Sequence, residues 1–112
     1  MSGADYRESL RRYSPRVFVD GRRVASVADE RAFQPGLNAI ALTYDYALKP
    51  EYARLMTAVQ HTSGKVVNRL SHIDMSSADL LNKLEAVRLV CQETGCAQRY
   101  LTHDALNAIG QV

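Results

Sequence analysis

Apolar residues recur with helical spacing in the first half of the chain and predict three helices there. The first covers residues 4–14 and is closed by Pro15, and its shared face carries Tyr6, Leu10 and Tyr13. The second runs from Pro35 to about Leu48, and its shared face carries Leu37, Ile40, Ala41, Tyr44 and Leu48. Pro50 begins the third, whose expected inward side chains are Tyr52, Leu55, Met56 and Val59.

A long helix is predicted to begin after Ser76, because serine is a preferred N-cap and Asp79 follows at the capping-box position. Gly95 is its natural stop. The expected inner stripe consists of Leu80, Leu84, Val87 and Cys91. Further apolar residues widen this surface beyond one stripe, so we expect cover on more than one side: Leu81, Leu89 and Val90. A last helical stretch is predicted from Ala97 to Ile109, and the sequence stops within that pattern, as an interrupted longer chain would.

Strand signals are confined to two short places. Two β-prone runs flank Asp20-Gly21, and Asp-Gly supplies the positive φ angles of a tight turn, so this segment predicts a β-hairpin. Residues 66–70 form a short extended run after a turn at residues 63–65. The pattern as a whole therefore predicts one mainly α domain with a small hairpin.

Composition narrows the class of protein. The chain has 112 residues, enough for a single domain, and its 46% hydrophobic and 23% charged content is typical of a globular protein. A net charge of +2 is too small for a nucleic-acid footprint. No run approaches the roughly 20 apolar residues of a membrane span, and no secretory signal is evident at the start. Two cysteines do not make a disulfide framework, and we expect a cytoplasmic, reduced protein without membrane or nucleic-acid partners.

Few residues suggest chemistry by their spacing alone. Cys91 and Cys96, together with His61, His72 and His103, offer zinc-type ligands, but not at the spacing of zinc motifs. Cys96 as nucleophile and His103 as its general base are one option. However, the sequence marks no oxyanion hole and no third group that would orient the histidine. The glycines are scattered and form no phosphate-binding loop.

Three groups of segments, in order, resemble the amino-terminal region of the family that contains 4-hydroxyphenylacetate 3-hydroxylase and 4-hydroxybutyryl-CoA dehydratase. The first comprises residues 6–10 and 16–24, and the second residues 42–47, 49–52 and 55–57. The third comprises residues 64–69, 76–80, 96–99 and 104–108. The resemblance covers nearly the whole chain, and its specificity lies in the order and spacing of the segments.

The resemblance implies a fold and a cofactor. It identifies residues 1–112 as the helical amino-terminal domain of an acyl-CoA-dehydrogenase-like flavoenzyme, with the central β domain and the carboxy-terminal helical domain outside this sequence. Such enzymes use FAD where the domains meet and assemble as oligomers. We therefore expect that this chain alone holds no FAD and is inactive, and that its partners are the missing domains or a partner subunit.

The resemblance also implies site residues. In the dehydratase branch two cysteines, spaced by three residues, bind an iron–sulfur cluster; Cys96 matches the first and Tyr100 replaces the second. Because tyrosine is a poor ligand for such a cluster, we expect none here. In the hydroxylase branch an Arg and a Tyr help bind the phenol, and Leu101 and Ala105 stand at those positions. The candidate substrate-binding residues are Gln98, Arg99, Tyr100 and His103.

Three hypotheses follow for function. The first is an amino-terminal fragment or split subunit of a flavin-dependent oxidoreductase (monooxygenase) or dehydratase that acts on a phenolic or hydroxyacyl-CoA substrate. The alternative is a non-catalytic helical interaction module. The third is a small metal or thiol protein that uses Cys91, Cys96 and His103.

Overall fold

The computed structural model describes residues 1–95, and within them the chain is mainly helical. The helices are α1 (Gly3–Arg11), α2 (Gln34–Leu48), α3 (Pro50–Met56) and α4 (Ser77–Thr94). Short 3-10 turns precede α2 and α4, at Arg31–Phe33 and Arg69–Ser71. The strands form two antiparallel pairs, β1 (Phe18–Val19) with β2 (Arg22–Arg23) and β3 (Thr57–Val59) with β4 (Val66–Asn68). The mainly α prediction is confirmed, whereas the predicted last helix at residues 97–109 lies outside the described residues.

The predicted hairpin at Asp20-Gly21 is confirmed. Asp20 and Gly21 both have positive φ, at 49° and 75°, and Phe18 pairs with Arg23 across the turn. The second pair, β3 with β4, is a finding that the sequence did not predict as a hairpin. Thr57 leaves the helical conformation at the end of α3, so Val59 lies on β3 and is 62% exposed. The prediction of an inward Val59 on the third helix is therefore wrong.

The start of α4 follows the prediction closely. The Ser76 hydroxyl accepts a hydrogen bond from the Asp79 N–H at 3.1 Å, and Gly95 ends the helix with a φ of 65°. The Asp79 carboxylate accepts from the backbone N–H of Met75 at 3.1 Å, one residue before the position that a capping box would use. Asp79 thus caps the turn that leads into the helix, and the backbone is held at this end by two side chains.

The inner face of α4 differs from the prediction. Buried α4 residues are Lys83, Ala86, Val87 and Val90. Leu80 and Leu84, predicted to point inward, are 43% and 46% exposed, and Leu81 is 67% exposed. Val87 is confirmed as a core residue, and Cys91 is half-buried against the core. Both sets of positions have helical spacing, so the periodicity did not decide which one faces the core.

The core lies where α2, α3 and α4 meet. Its buried members are Tyr46, Met56, Leu70, Ala86, Val87 and Val90. Arg69, beside this core, donates to the carbonyl oxygens of Leu55 and Thr57 at the C-terminal end of α3. A guanidinium is favoured there, because the last carbonyls of a helix lack partners within the helix and carry partial negative charge. Arg69 thus joins α3 to the segment that leads towards α4.

Helix α1 packs on α2 through a close backbone contact. The N–H of Gly3 donates to Asp45 Oδ1 at 2.7 Å, and the rings of Tyr6 and Tyr44 stack with centroids 5.2 Å apart. A Cβ at Gly3 would lie 2.7 Å from Asp45 Oδ2 and 2.9 Å from the carbonyl oxygen of Ala41. Only glycine therefore fits at this position without a shift of α1. Within residues 1–95, no helix has the length and apolar character that a membrane span requires.

Candidate functional site

The sequence-predicted site residues lie outside the described residues: Cys96, Gln98, Arg99, Tyr100 and His103. The structure describes the helix that leads to them, up to Gly95. The question for the described part of the chain is therefore how the end of α4 is held, and which cavities and polar clusters surround it.

The last turn of α4 is fastened to α2 and α3 through a tyrosine pair. The buried Tyr46 hydroxyl donates to the Glu93 carboxylate, and the Tyr46 ring stacks on Tyr52 with centroids 5.0 Å apart. The Lys49 ammonium lies 4.3 Å from the centre of the Tyr46 ring. The hydrogen bond to Glu93, followed by burial, raises the pKa of Tyr46 to about 12. Because Glu93 stands three positions before Cys96, this contact fixes the point from which the candidate site segment departs.

A groove lies beside this anchor, between the start of α2 and the end of α4. It encloses about 380 Å³ and is lined by Pro35, Asn38, Ala39, Leu42, Glu93 and Thr94. Its lining combines apolar side chains with one amide, one hydroxyl and one carboxylate, and the carboxylate of Glu93 already accepts a hydrogen bond from Tyr46. Because none of these lining residues is basic, the groove by itself does not suit an anionic ligand.

A second groove, of about 510 Å³, lies between α2 and the β3–β4 pair. Its lining residues are Met1, Tyr44, Ala47, Leu48, Thr57, Val66, Val67, Asn68 and Ser71. Its size falls in the range of small-molecule pockets. However, the Asn68 amide donates to the carbonyl and hydroxyl of Thr43, and its oxygen accepts from Leu70 N–H. The best-placed polar group of this groove therefore serves the fold.

The most deeply buried charge in the described residues is Lys83, which is 1% exposed. Its ammonium donates to the backbone oxygen of His72 at 2.6 Å and lies 3.1 Å from Asp74 Oδ2. Asp74 Oδ1 is buried and has no hydrogen-bond partner among residues 1–95. These contacts tie residues 72–74 to α4. Because Lys83 is shielded from solvent on all sides, it is suited to holding this turn in place and not to reacting with a ligand.

His72 completes this polar cluster. It is 5% exposed, its Nδ1 lies 2.8 Å from Gln60 Oε1, and its Nε2 lies 3.7 Å from Asp79 Oδ1. The backbone N–H of Met75 and then the Ser76 hydroxyl lower the pKa of Asp79. The cluster therefore links β3, the turn before α4 and the first turn of α4.

The sequence left a metal site possible, because its histidines and cysteines could serve as ligands. Among residues 1–95 there is no group of three or more His, Cys, Asp or Glu side chains placed to hold a metal ion. His61 and His72 approach each other with ring centroids 6.1 Å apart, edge to face. Cys91 packs against the core. The part of a zinc set that would use Cys96 or His103 lies outside the described residues.

Comparison with known proteins shows the family to which the chain belongs. The family model for the amino-terminal region of 4-hydroxyphenylacetate 3-hydroxylase matches residues 2–112. The chain belongs to this family. The resemblance noted from the three groups of segments is thereby confirmed.

Two curated relatives match the chain. The chain is 37% identical over 110 residues to 4-hydroxybutyryl-CoA dehydratase/vinylacetyl-CoA-Δ-isomerase of Clostridium aminobutyricum, which covers 97% of this chain and 22% of the relative. It is 37% identical over 87 residues to a pyoverdin chromophore biosynthetic protein of Pseudomonas aeruginosa, covering 78% of this chain and 17% of that protein. The chain thus spans about a fifth of the length of the relatives it matches.

Solved structures agree with the fold. An oxygen-tolerant archaeal 4-hydroxybutyryl-CoA dehydratase from N. maritimus matches with a TM-score of 0.79 and 39% identity, over 96% of this chain and 21% of that one. The oxygenase component of 4-hydroxyphenylacetate 3-monooxygenase, solved with FAD and 4-hydroxyphenylacetate, matches with a TM-score of 0.66 and 24% identity. It covers 83% of this chain and 19% of that one, and at this identity it supports the fold alone. The fold is that of the amino-terminal domain of a flavin-dependent enzyme family.

The sequence did not predict the polar residues that hold the two ends of α4 in the described structure, which are Lys83, Tyr46 and Glu93. Lys83 was not among the residues of the predicted inner stripe, because that stripe was chosen from apolar side chains, and Tyr46 and Glu93 are 47 positions apart. The one available signal for Lys83 was its position three residues before Ala86 and four before Val87, on a helix with apolar residues on several sides.

Proposed function

We propose that residues 1–112 act as the amino-terminal helical domain of a flavin-dependent enzyme, as a fragment or split subunit, with a phenolic or hydroxyacyl-CoA substrate. One observation carries the proposal: 97% of the chain matches a 4-hydroxybutyryl-CoA dehydratase at 37% identity, while the match covers 22% of that enzyme. The sequence is thus similar to one part of a larger enzyme. The remaining domains of the family supply the rest of the site.

The proposed contribution of this domain is substrate binding by Gln98, Arg99, Tyr100 and His103. Arg99 suits an anionic group, because its planar guanidinium forms paired hydrogen bonds to carboxylates and phosphates. Gln98 and His103 are proposed to donate hydrogen bonds to substrate or flavin oxygen atoms. The anchor of α4 through Tyr46 and Glu93 supports this role, since it fixes the backbone just before these residues.

The proposed cofactor is FAD, bound by the assembled enzyme and not by this chain alone. The chain has no glycine-rich loop of the kind that binds phosphates at the start of α2 or at the start of α4. An iron–sulfur cluster is not proposed, because Tyr100 stands where the dehydratase pattern has its second cysteine. The proposed setting is the cytoplasm, with the missing domains or a partner subunit as partners and an oligomeric final assembly.

Two measurements on the purified chain test the proposal. An FAD titration followed by flavin fluorescence is expected to show no binding at micromolar protein, with no turnover of 4-hydroxyphenylacetate or 4-hydroxybutyryl-CoA. Light scattering is expected to show association, with itself or with added partner. A clean monomer that binds FAD at micromolar concentration would contradict both parts.

Anaerobic reconstitution with iron and sulfide tests the cluster. We expect far fewer than the roughly four irons per chain that a complete four-iron cluster holds. Cys96→Ser probes the family ligand position, and Cys91→Ser is the matched control, since Cys91 packs against the core. A full complement of iron that is lost in Cys96→Ser and kept in Cys91→Ser would refute the proposal for the cofactor.

A further inference from the structure

The hairpin formed by β1 and β2 has an inner and an outer face. Side chains alternate along an extended strand, so Val17 and Val19 point to the same side of it. Val17 lines a cavity of about 380 Å³ beside α2, and Val24, which lies opposite on the second strand, is 4% exposed. The valines therefore pack towards the rest of the domain, and the side chains that alternate with them point outward.

The outer face carries a phenylalanine beside two arginines. Phe18 pairs with Arg23 across the hairpin, and the Val24 N–H donates to the Val17 carbonyl at 2.9 Å. The Phe18–Arg23 pair thus lies between the ladder hydrogen bonds, where facing Cα atoms approach to about 4.5 Å. Because the alternation continues back through Val17, Arg16 lies on the same side as Phe18. The outer hairpin face is defined by Arg16, Phe18 and Arg23, all of them exposed, and Phe18 is 58% exposed.

The charges of this face are largely uncompensated. The hairpin has three arginines and one acid, Asp20, which lies in the turn. Both carboxylate oxygens of Glu30 accept from Arg22 at 3.0 Å, so this arginine is already paired. Within the described part of the chain, the side chains of Arg16 and Arg23 take part in no hydrogen bond or ion pair. The outer hairpin face therefore combines an exposed aromatic ring with two guanidinium groups that are available to a ligand.

This combination selects the chemistry of the ligand. Nucleobases stack on aromatic side chains, and a guanidinium group forms paired hydrogen bonds with phosphate oxygens. An acidic peptide would satisfy the arginines but would leave the ring of Phe18 without a stacking partner. A nucleotide satisfies both, because its base and its phosphates are held a short distance apart in one molecule. A single ring accommodates a single base, so the face suits a mononucleotide better than a strand of nucleic acid.

We propose that the outer hairpin face binds a purine nucleotide with at least two phosphate groups, whose base stacks on Phe18 and whose phosphates contact Arg16 and Arg23. The inference does not rest on the proposed function, and its site is separate from the candidate substrate-binding residues. The face is open and holds one base, so we expect a dissociation constant on the order of 0.1–1 mM for ADP. Such binding is distinguishable from the micromolar FAD binding that the proposed function excludes.

The test is an ADP titration of the 112-residue chain, followed through the backbone amide signals in NMR spectra. Adenosine and pyrophosphate serve as the two halves of the ligand. We expect ADP to bind at least about tenfold more tightly than either half, because stacking and charge act together. Binding should weaken as the ionic strength rises, because salt screens the charges of an exposed site.

Variants assign the two parts of the site. Phe18→Ala and Arg23→Ala should each weaken ADP binding at least about fivefold, because each removes one of the two kinds of contact. Tyr13→Ala and Arg88→Ala are the matched controls, since both side chains are exposed and lie outside the hairpin, and their effect should stay below about twofold. Asp20→Asn keeps a turn-forming residue before Gly21 and removes a negative charge, so it should tighten binding. Circular dichroism checks that each variant is folded, and Phe18→Leu, which keeps an apolar side chain without an aromatic ring, replaces Phe18→Ala if the latter unfolds.

The outcomes decide between this site and simpler explanations. Pyrophosphate that binds as tightly as ADP, or Phe18→Ala that binds ADP as well as Tyr13→Ala does, would show that charge alone attracts phosphate and would overturn the site. A single-stranded oligoadenylate that binds more tightly per nucleotide than ADP would make nucleic acid the ligand and refute our choice. CoA and FAD both contain an ADP unit, and only CoA carries a further phosphate on its ribose. Tighter binding of CoA or of FAD would support the site and identify which of them supplies the nucleotide. Absence of ADP binding would overturn the site and leave the proposed function standing.

Discussion

Replacing Lys83 with methionine removes a buried ammonium while it keeps the length of the side chain. The substitution leaves Asp74 Oδ2 and the backbone oxygen of His72 without the donor that lies 3.1 Å and 2.6 Å away. Asp74 Oδ1 already lacks a partner among the described residues, so the substitution leaves both oxygens of the carboxylate without a hydrogen-bond donor there. Because methionine fills a similar volume, little of the effect should come from a cavity.

The magnitude follows from the burial of the two partners. Breaking one side of a buried ion pair costs about 3–5 kcal/mol. The Asp74 side chain is 18% exposed and can regain some hydration, so we expect the lower end, about 3 kcal/mol. A domain of this size is stable by roughly 5–15 kcal/mol, and with a urea m-value of about 1–3 kcal/mol/M the midpoint should fall by roughly 1–3 M.

The assay is urea unfolding followed by circular dichroism, with Lys65→Met as the control. Lys65 is exposed, so its replacement should change the free energy of unfolding by no more than about 0.5 kcal/mol. The double variant Lys83→Met with Asp74→Asn removes both charges and should recover at least about 1 kcal/mol relative to the sum of the single effects. If Lys83→Met is as stable as Lys65→Met, or the double variant shows no coupling, the interpretation of Lys83 as a paired anchor is refuted.

Three further predictions concern other contacts. Gly3→Ala should destabilise the chain by about 1–3 kcal/mol, because its Cβ would lie 2.7 Å from Asp45 Oδ2; equal thermal stability of this variant and the exposed-site control Ala4→Ser would contradict the close packing of α1 on α2. Tyr46 has a pKa raised from 10.0 to about 12, so its hydrogen bond to Glu93 should stabilise the fold fully below pH 10 and be lost as the pH rises towards 12. With six tyrosines and no tryptophan, the absorbance change on titration reports the phenol groups. Burial raises the pKa of Tyr6 as well, so Tyr46→Phe should remove an ionisation at about pH 12 that Tyr13→Phe retains; an unchanged titration in Tyr46→Phe would count against the anchor. The pKa of Asp79 is lowered from 3.8, so its stabilising contribution should be complete above pH 3.8 and should be lost as the pH falls below it. The urea midpoints of wild type and Asp79→Ala should therefore differ at pH 7 and converge in acid. A difference that stays constant with pH would exclude Asp79 as the titrating cap.

The sequence by itself determined the features that depend on local chemistry. Asp20-Gly21 specified a hairpin because these two residues tolerate positive φ, and Ser76 with Gly95 bounded α4 through capping groups a few positions away. The family was also recognisable from sequence, since the order and spacing of short segments survive along the chain. The candidate site residues 96–103 were named from this resemblance alone and stay predictions.

Only the tertiary structure decided the features that join distant parts of the chain. Helical spacing allowed either Leu80 and Leu84 or Lys83 and Val90 to face inward; the second arrangement was fixed by contacts with Met56 and Leu70 on other elements. The pairing of β3 with β4 and the contact of Gly3 with Asp45 likewise join residues far apart in sequence. A helix has one pattern but several possible neighbours, so burial is set by the neighbours it meets and by the charges they can satisfy.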